Sequence, residues 1–197
     1  MRLALPASFL FVAAFASPYA ATSAEAGAGT LAPHRAVYDL ALDRASDRSG
    51  ITGLSGRMVY EFAGSACDGY TVTFRFVTRI DTDDVSRLTD QQTTTYEDGE
   101  GKSFSFVTRS FVDEELNGEL KGVARAGEEE TVVSIDKPEA KELRLETTQF
   151  PTHHLKDLID RARKGETFYE TTLFDGSENA DKVMTTTVVI GKEASAK

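Results

Sequence analysis

Alternation of apolar and polar side chains is the feature that most constrains the fold of this chain. In residues 70–80, Val72, Phe74 and Phe76 share one parity, while Thr73 and Arg75 share the other. A period of two places one set on each face of an extended strand, so this pattern predicts a half-buried β-strand. The same period occurs in Ala36/Tyr38/Leu40/Leu42, Met58/Tyr60/Phe62 and Phe104/Phe106, and further strand candidates are 87–96, 119–125, 130–136, 142–147, 167–174 and 182–190.

Short turn signals separate these runs. Glycine after Asp or Asn supplies the positive φ that tight hairpins need, so the chain is predicted to be a meander of about ten antiparallel strands. Residues 53–56 (Gly-Leu-Ser-Gly) are also interpreted as a turn. The four turn signals are Asp68-Gly69, Asp98-Gly99, Asn117-Gly118 and Asp175-Gly176.

One segment has helical instead of strand periodicity. Apolar residues recur at helical spacing between Pro151 and Gly165, which predicts an amphipathic helix over about 151–164 that covers one opening or face of the sheet. A meander of this size hides its edges by closing into a barrel or by curling. The predicted fold is therefore mainly β: a large antiparallel meander that closes into a barrel or curls into a bent half-barrel, with one helix packed on it.

The N-terminus indicates export. Arg2 precedes an apolar run at 3–16 and the small residues of 20–24, which is typical of a cleaved secretory signal peptide and too short for a membrane-spanning helix. The expected division is a signal peptide at 1–24, a flexible segment at 25–33, a β-domain at 34–192 and a tail at 193–197. The mature protein is expected in the periplasm, not spanning the membrane.

Composition and motifs exclude several classes of function. The net charge is −10, from 22 Lys+Arg and 32 Asp+Glu, which argues against a nucleic-acid partner. His153 and His154 are interpreted as a solvated helix start, and 175–181 as a polar hairpin turn that lacks the glycine of a calcium loop. We predict no catalytic, cofactor-binding or metal-binding residue, and hence no enzyme.

Two features leave alternatives open. The segments 89–95 and 185–187 carry hydroxyls and amides on both parities, which fits either an exposed or edge strand or a polar patch lining a mouth or a partner-binding groove. Cys67, the single cysteine, is either a small buried hydrophobe or a thiol that is bonded to another molecule, free and reactive, or paired with a cysteine outside this chain. Its position before Asp68-Gly69 favours an accessible thiol in a turn.

Nine strings, in order along the chain, resemble the EipB family of periplasmic cell-envelope integrity proteins of Gram-negative bacteria, a domain of unknown function. They lie between about 33 and 192. The strings begin at His34 (HRAVYDL), Gly56 (GRMVYEF), Cys67 (CDGY), Phe74 (FRFVTR), Arg87 (RLTDQQTTT), Phe104 (FSF), Phe150 (FPT), Phe174 (FDGS) and Lys182 (KVMTTTVVIGK).

The resemblance implies a bent, spiral-like antiparallel sheet around a helix, without known catalysis. It also implies a disulfide between Cys67 and a second cysteine near the C-terminus of family members. This chain has no counterpart of that cysteine, since it stops at Lys197 where family members continue with more strands. The domain is therefore expected to be incomplete at the C-terminus.

Two functional hypotheses follow, with a hydrolase as a distant third. The first is a non-enzymatic periplasmic protein that supports envelope integrity by binding another envelope protein. The second is a carrier or chaperone that holds a lipid or an acylated polypeptide on the concave face of the sheet.

The signal-peptide pattern gives a first testable prediction. We expect the mature chain to begin at or near Glu25 or Gly27 and to be recovered outside the cytoplasm. N-terminal sequencing of the periplasmic fraction checks this. An intact Met1 on membrane-bound protein would contradict it.

Overall fold

The computed structural model describes residues 31–46, 48–192 and 194. This part of the chain contains ten strands and one helix, which confirms the predicted mainly-β fold. The elements are β1 (His34–Ala41), β2 (Ile51–Ser65), β3 (Gly69–Thr82), β4 (Ser86–Glu97), β5 (Ser103–Val112), β6 (Glu115–Ala126), β7 (Glu130–Lys137), β8 (Lys141–Glu146), α1 (Pro151–Arg163), β9 (Phe168–Leu173) and β10 (Met184–Val189). The predicted signal peptide and most of the predicted tail lie outside the described residues.

The first eight strands form one antiparallel meander in the order β1 to β8. Strands β9 and β10 instead form a separate two-stranded ribbon, so the expectation of a single ten-stranded meander is wrong. The physical reason is α1, which stands between β8 and β9 and carries the chain away from the sheet. An isolated parallel bridge between Gln149 and Leu173 joins the ribbon to the segment that follows β8. Among the described residues β1 and β8 do not pair, so the sheet is not closed.

The turn predicted at Asn117-Gly118 is wrong, because both residues lie inside β6. The chain reverses earlier, at Asp113 and Glu114, whose φ angles are 50° and 71°. The neighbouring strand β4 holds this turn: Asp113 N–H donates to the Leu88 carbonyl at 2.8 Å, and Leu88 N–H donates to Asp113 Oδ1 at 2.9 Å. A non-local contact therefore sets the site of the reversal.

The remaining turn signals are mostly confirmed. Gly69 and Gly176 have φ angles of 82° and 69°, in the left-handed region that favours glycine. Asp98-Gly99 lies in the connection between β4 and β5, but the positive φ of 69° belongs to Gly101.

Residues 53–56 form part of β2, so their interpretation as a turn is wrong. A Cβ atom at Gly56 would lie 2.6 Å from the Val77 carbonyl oxygen, so glycine here permits close approach of β2 and β3.

Segment 89–95 belongs to β4, which pairs on both sides with β3 and β5. It is therefore an interior strand, and the edge-strand alternative is wrong for it.

Four phenylalanines form the centre of the core. Phe104 and Phe106 come from β5, Phe150 immediately precedes α1, and Phe174 immediately follows β9. The Phe104 and Phe150 rings stack with centroids 5.4 Å apart, and Phe174 meets Phe106 edge-on at 5.9 Å. All four side chains are at most 1% exposed. This cluster joins the sheet, the helix start and the β9–β10 ribbon.

Two glycines make room for Phe106. A Cβ atom would lie 2.7 Å from the Phe106 ring at both Gly122 and Gly176. Gly122 lies on the adjacent strand β6, and Gly176 lies in the loop between β9 and β10. This loop therefore packs directly on the face of the sheet that carries Phe104 and Phe106, which we call the inner face.

The carboxylate of Glu97 binds the N-terminus of α1. Glu97 is the last residue of β4 and is 3% exposed. Its Oε2 accepts the Thr152 N–H and its Oε1 accepts the His153 N–H, both at 2.7 Å. Since Phe150, the residue at the N-cap position, makes no side-chain cap, Glu97 supplies the cap from a distant part of the chain.

Replacement of Glu97 should therefore weaken the attachment of the helix. We expect Glu97→Ala to lower the free energy of unfolding by about 2–4 kcal/mol, since two buried N–H groups lose their acceptor. Chemical denaturation measures the change. The matched control is Glu100→Ala, three residues away in an exposed position, which should leave the unfolding midpoint nearly unchanged.

The contribution of Glu97 to the free energy of unfolding should also depend on pH, with a defined sign. Burial raises the pKa of Glu97 above its usual value of 4.5, although the N–H bonds from Thr152 and His153 oppose this rise. The folded protein then holds the Glu97 proton more tightly than the unfolded chain does. The stability contributed by Glu97 should therefore grow as the pH falls through the folded pKa toward about 4.5. In Glu97→Gln the side chain at 97 does not titrate, so the difference in unfolding free energy between the two proteins, followed over pH, isolates the contribution of Glu97. A difference that shrinks as the pH falls would contradict the raised pKa.

Candidate functional site

A solvent-open cleft of about 620 Å³ lies on the inner face of the sheet. Five consecutive strands, β2 to β6, contribute to its wall. The register places Tyr60, Phe74, Thr93, Thr108 and Leu120 in one row across these strands. Because side chains in one register row share a face, a single row crosses the whole cleft.

The cleft has an apolar side and a polar side. Tyr60, Val72 and Phe74 line the side formed by β2 and β3. On the side formed by β4, β5 and the start of β6, Glu119 contributes to the lining, and the other hydrogen-bonding side chains are uncharged. These are Gln91, Thr93, Thr108, Ser110 and Asn117.

The hydroxyls of Thr93 and Thr108 lie 3.0 Å apart and hydrogen-bond to each other across β4 and β5. The polar residues of 89–95 therefore divide by parity. Gln91 and Thr93 line the cleft, whereas Asp90 and Gln92 line a groove on the opposite, outer face. The hypothesis of a polar patch lining a groove is thus the one that the geometry supports for this segment. Residues 185–187 lie instead on β10, which pairs only with β9 within the described chain.

The loop between β9 and β10 forms the roof of the cleft, with residues 175–179 in its lining. Asp175 Oδ1 accepts the Ser177 N–H at 2.8 Å, so this carboxylate orders the loop itself. Glu178 pairs with Lys182. Among the described residues no group of three or more His, Cys, Asp or Glu is arranged to hold a metal ion.

Most charged side chains of the sheet lie on the outer face. Arg75 donates to Asp90 at 2.8 Å, and this hydrogen bond lowers the pKa of the Asp90 carboxyl. Arg57 lowers the pKa of Asp39 in the same way at 2.7 Å. The cleft wall formed by β3, β4 and β5 therefore presents uncharged polar groups and apolar surface, and the acidic residues of the lining, Glu119, Asp175 and Glu178, come from β6 and the loop between β9 and β10.

A smaller pit of about 240 Å³ lies beside the cleft, where α1 approaches β1 and β2. Its lining is mainly apolar and includes Leu31, Phe62 and Leu155, together with Tyr60, which also lines the cleft. The predicted apolar stripe of α1 is only partly covered: Leu155 is 41% exposed. Tyr60 thus separates a polar-walled cleft from an apolar pit.

His153 and His154 are half-buried, so the expectation of a solvated helix start is wrong for their side chains. The His153 ring packs near Gly101, where an added Cβ would lie 2.8 Å from Nδ1. His154 Nδ1 lies 3.4 Å from Gln149 Oε1. Both residues serve the packing of the helix start.

Cys67 is a free, exposed thiol in the turn between β2 and β3. The surrounding turn is ordered, because Ser65 Oγ donates to Asp68 Oδ2 at 2.7 Å and Tyr96 Oη donates to the Asp68 carbonyl at 3.1 Å. The prediction of an accessible thiol is confirmed, and the alternative of a buried hydrophobe is wrong. The disulfide that the resemblance implied stays a prediction.

Glu97 is the residue that sequence reasoning missed. It has the same parity as Thr93 and Thr95, so its carboxylate points to the inner face. A carboxylate in an inward position at a strand end was the available signal. Its partners, the N–H groups of Thr152 and His153, are set by tertiary structure and leave no trace in local sequence.

Comparison with known proteins places this architecture in a family. A sequence model described as EipB-like matches residues 25–197. The chain belongs to the EipB-like family. This confirms the resemblance drawn from the nine strings.

A curated protein and a crystal structure, both from Brucella abortus, support the assignment. Cell envelope integrity protein EipB of strain 2308 is 55% identical over 194 residues, which span 98% of this chain and 69% of that protein. A crystal structure described as a beta-barrel-like protein of a domain of unknown function has a TM-score of 0.80 and 58% identity. It covers 84% of this chain and 69% of the crystallised one. Within the described residues, no helix is long and apolar enough to cross a membrane.

The exposure of Cys67 gives a prediction. We expect the native protein to react rapidly with a thiol reagent and to show a disulfide-linked dimer on a non-reducing gel after purification in air. Cys67→Ser should remove the dimer band and leave the thermal midpoint of the reduced protein almost unchanged, because the side chain is exposed. Resistance to alkylation in the folded state would contradict the assignment.

Proposed function

We propose that this protein supports envelope integrity in the periplasm as a non-enzymatic binding protein. In this proposal it holds an extended segment of another envelope protein in the inner-face cleft. The relative from Brucella abortus carries the name of a cell envelope integrity protein, and neither that name nor the description of the crystal structure mentions a reaction.

The single observation that carries the proposal is the make-up of the cleft. Five uncharged hydrogen-bonding side chains face an apolar wall across an open space of about 620 Å³. An extended polypeptide presents backbone donors and acceptors together with alternating side chains, so both walls are used. An acyl chain would offer no hydrogen-bonding partner to the amide of Gln91 or the hydroxyl of Ser110, which is unfavourable.

The test uses two adjacent threonines on β4. Thr93 lines the cleft, whereas Thr94 is exposed on the outer face, so the pair separates cleft binding from surface contact. A photo-crosslinking amino acid at 93, but not at 94, should capture a specific envelope protein in living cells. The captured protein, once purified, should bind Thr93→Arg at least about tenfold more weakly than Thr94→Arg.

A cellular readout completes this test. In cells that lack the gene, Thr94→Arg should restore resistance to a membrane-disrupting detergent, and Thr93→Arg should not, at equal protein levels. Equal crosslinking at both positions, or full complementation by Thr93→Arg, would contradict the proposal.

The apolar pit favours a second candidate function, a carrier that binds a lipid or an acylated polypeptide. Leu31, Phe62 and Leu155 offer a hydrocarbon-like surface next to the cleft. An acylated polypeptide could place its acyl group in the pit and its peptide chain in the cleft, on the two sides of Tyr60. In this case, organic extraction and mass spectrometry of the purified protein should detect acyl chains that disappear in Leu155→Asp.

A further inference from the structure

The outer side of β1 offers unpaired backbone groups. Leu42 N–H donates to the Leu54 carbonyl opposite it at 2.8 Å, which identifies this as a hydrogen-bonded pair. Because such pairs alternate along antiparallel strands, the even-numbered residues of β1 direct their backbone groups to β2. Arg35, Val37 and Asp39 therefore point their N–H and C=O groups away from the sheet. Within the described part of the chain no strand pairs with this side.

The strand β3 supports this assignment independently. Thr82 N–H donates to the Val85 carbonyl opposite it, so the even-numbered residues of β3 bond to β4 and the odd-numbered ones to β2. The odd-numbered residues of β2 therefore form their backbone hydrogen bonds with β3, and the even-numbered residues of β2 form theirs with β1. Both hydrogen bonds, Leu42–Leu54 and Thr82–Val85, therefore indicate that the odd-numbered residues of β1 carry the unpaired backbone groups.

The side chains of these three residues form a charged pattern on the outer face. Val37 is 49% exposed and lies between Arg35 and Asp39 at alternate positions. Across the sheet, Arg35 is opposite Glu61 and Asp39 is opposite Arg57. Each charge on β1 thus already has one opposite charge on its β2 side and open space on the other.

We propose that this edge accepts an extended segment of a partner protein as an added antiparallel strand. The matching segment carries a basic residue opposite Asp39, a β-branched residue opposite Val37 and an acidic residue opposite Arg35. Each charged row would then alternate in sign over three strands, which cross-strand pairing favours. The inference rests on the proposed function only in taking an envelope protein as the partner, and it uses a surface separate from the cleft.

Charge decides between a partner protein and a second copy. The pattern Arg35-x-Val37-x-Asp39 is its own antiparallel complement, so two β1 strands could pair locally. Each copy, however, carries a net charge of −10, which opposes their approach. A less acidic partner with the same strand pattern matches the charges of Arg35 and Asp39 and is repelled less by the net charge of this protein.

The test compares two synthetic peptides. One is Thr-Lys-Thr-Val-Thr-Glu-Thr, which matches the edge, and the other has Lys and Glu exchanged. In an NMR titration of isotope-labelled protein at low salt, the matched peptide should bind about tenfold more tightly than the exchanged one, since two cross-strand charge pairs change sign. Slowed amide exchange should appear at Arg35, Val37 and Asp39 and should be absent at Ala36 and Tyr38.

Three variants make the experiment decisive. The double variant Arg35→Glu/Asp39→Lys should reverse the peptide preference, which a loss of folding cannot mimic. Val37→Pro removes the N–H that faces the free edge, without removing a bond to β2, and should abolish binding of both peptides. Val37→Thr keeps the N–H and should bind normally.

The outcomes separate the two proposals. Thr93→Arg, in the cleft, should leave peptide binding unchanged. If this variant instead lost peptide binding, the peptide would bind in the cleft, and the edge proposal alone would be overturned. Equal affinity for both peptides would also overturn it. A dimer of the protein alone that Val37→Pro disrupts would show that a second copy occupies the edge, which contradicts the proposed occupant.

Discussion

The cluster of Phe104, Phe106, Phe150 and Phe174 is the interaction on which the rest of the structure depends. It is the place where three separate parts of the chain meet: the sheet, the start of α1 and the β9–β10 ribbon. Aromatic side chains bury large areas and therefore stabilise contacts between elements from distant parts of the chain. Because Phe174 directly precedes the 175–179 loop, the same cluster fixes the roof of the cleft.

The helix is held by electrostatics as well as by packing. Glu97 accepts two N–H groups at the N-terminus of α1, while Lys156 lies 5.9 Å from the Tyr70 ring centroid. At the other end, the Arg161 guanidinium lies 4.4 Å from the Tyr169 ring centroid, and Arg161 also pairs with Asp157. Burial raises the pKa of Asp157, but the hydrogen bonds from Arg161 and Gln149 and the Arg161 charge outweigh this and lower it. These contacts attach α1 to β3 and β4 at one end and to β9 at the other.

The two faces of the meander have different chemistry, which separates the two proposed contacts. The inner face carries the aromatic core and, beyond it, the polar-walled cleft. The outer face carries exposed ion pairs such as Arg57–Asp39, which contribute little to stability but determine which strands can pair at an edge. The proposed cleft contact and the proposed β1 contact therefore use different surfaces of the sheet.

The sequence by itself determined the strands, most turns and the helix, because alternation, Asp-Gly pairs and helical spacing are local signals that need no partner. It also determined the family, through nine short strings. Only the tertiary structure decided that 89–95 is an interior strand facing the cleft, that the chain reverses at Asp113-Glu114 and not at Asn117-Gly118, and that β9 and β10 leave the sheet. It alone assigned Glu97 to the helix start. The physical reason is that each of these features depends on contacts between residues far apart in the chain, such as Leu88 with Asp113 and Glu97 with Thr152.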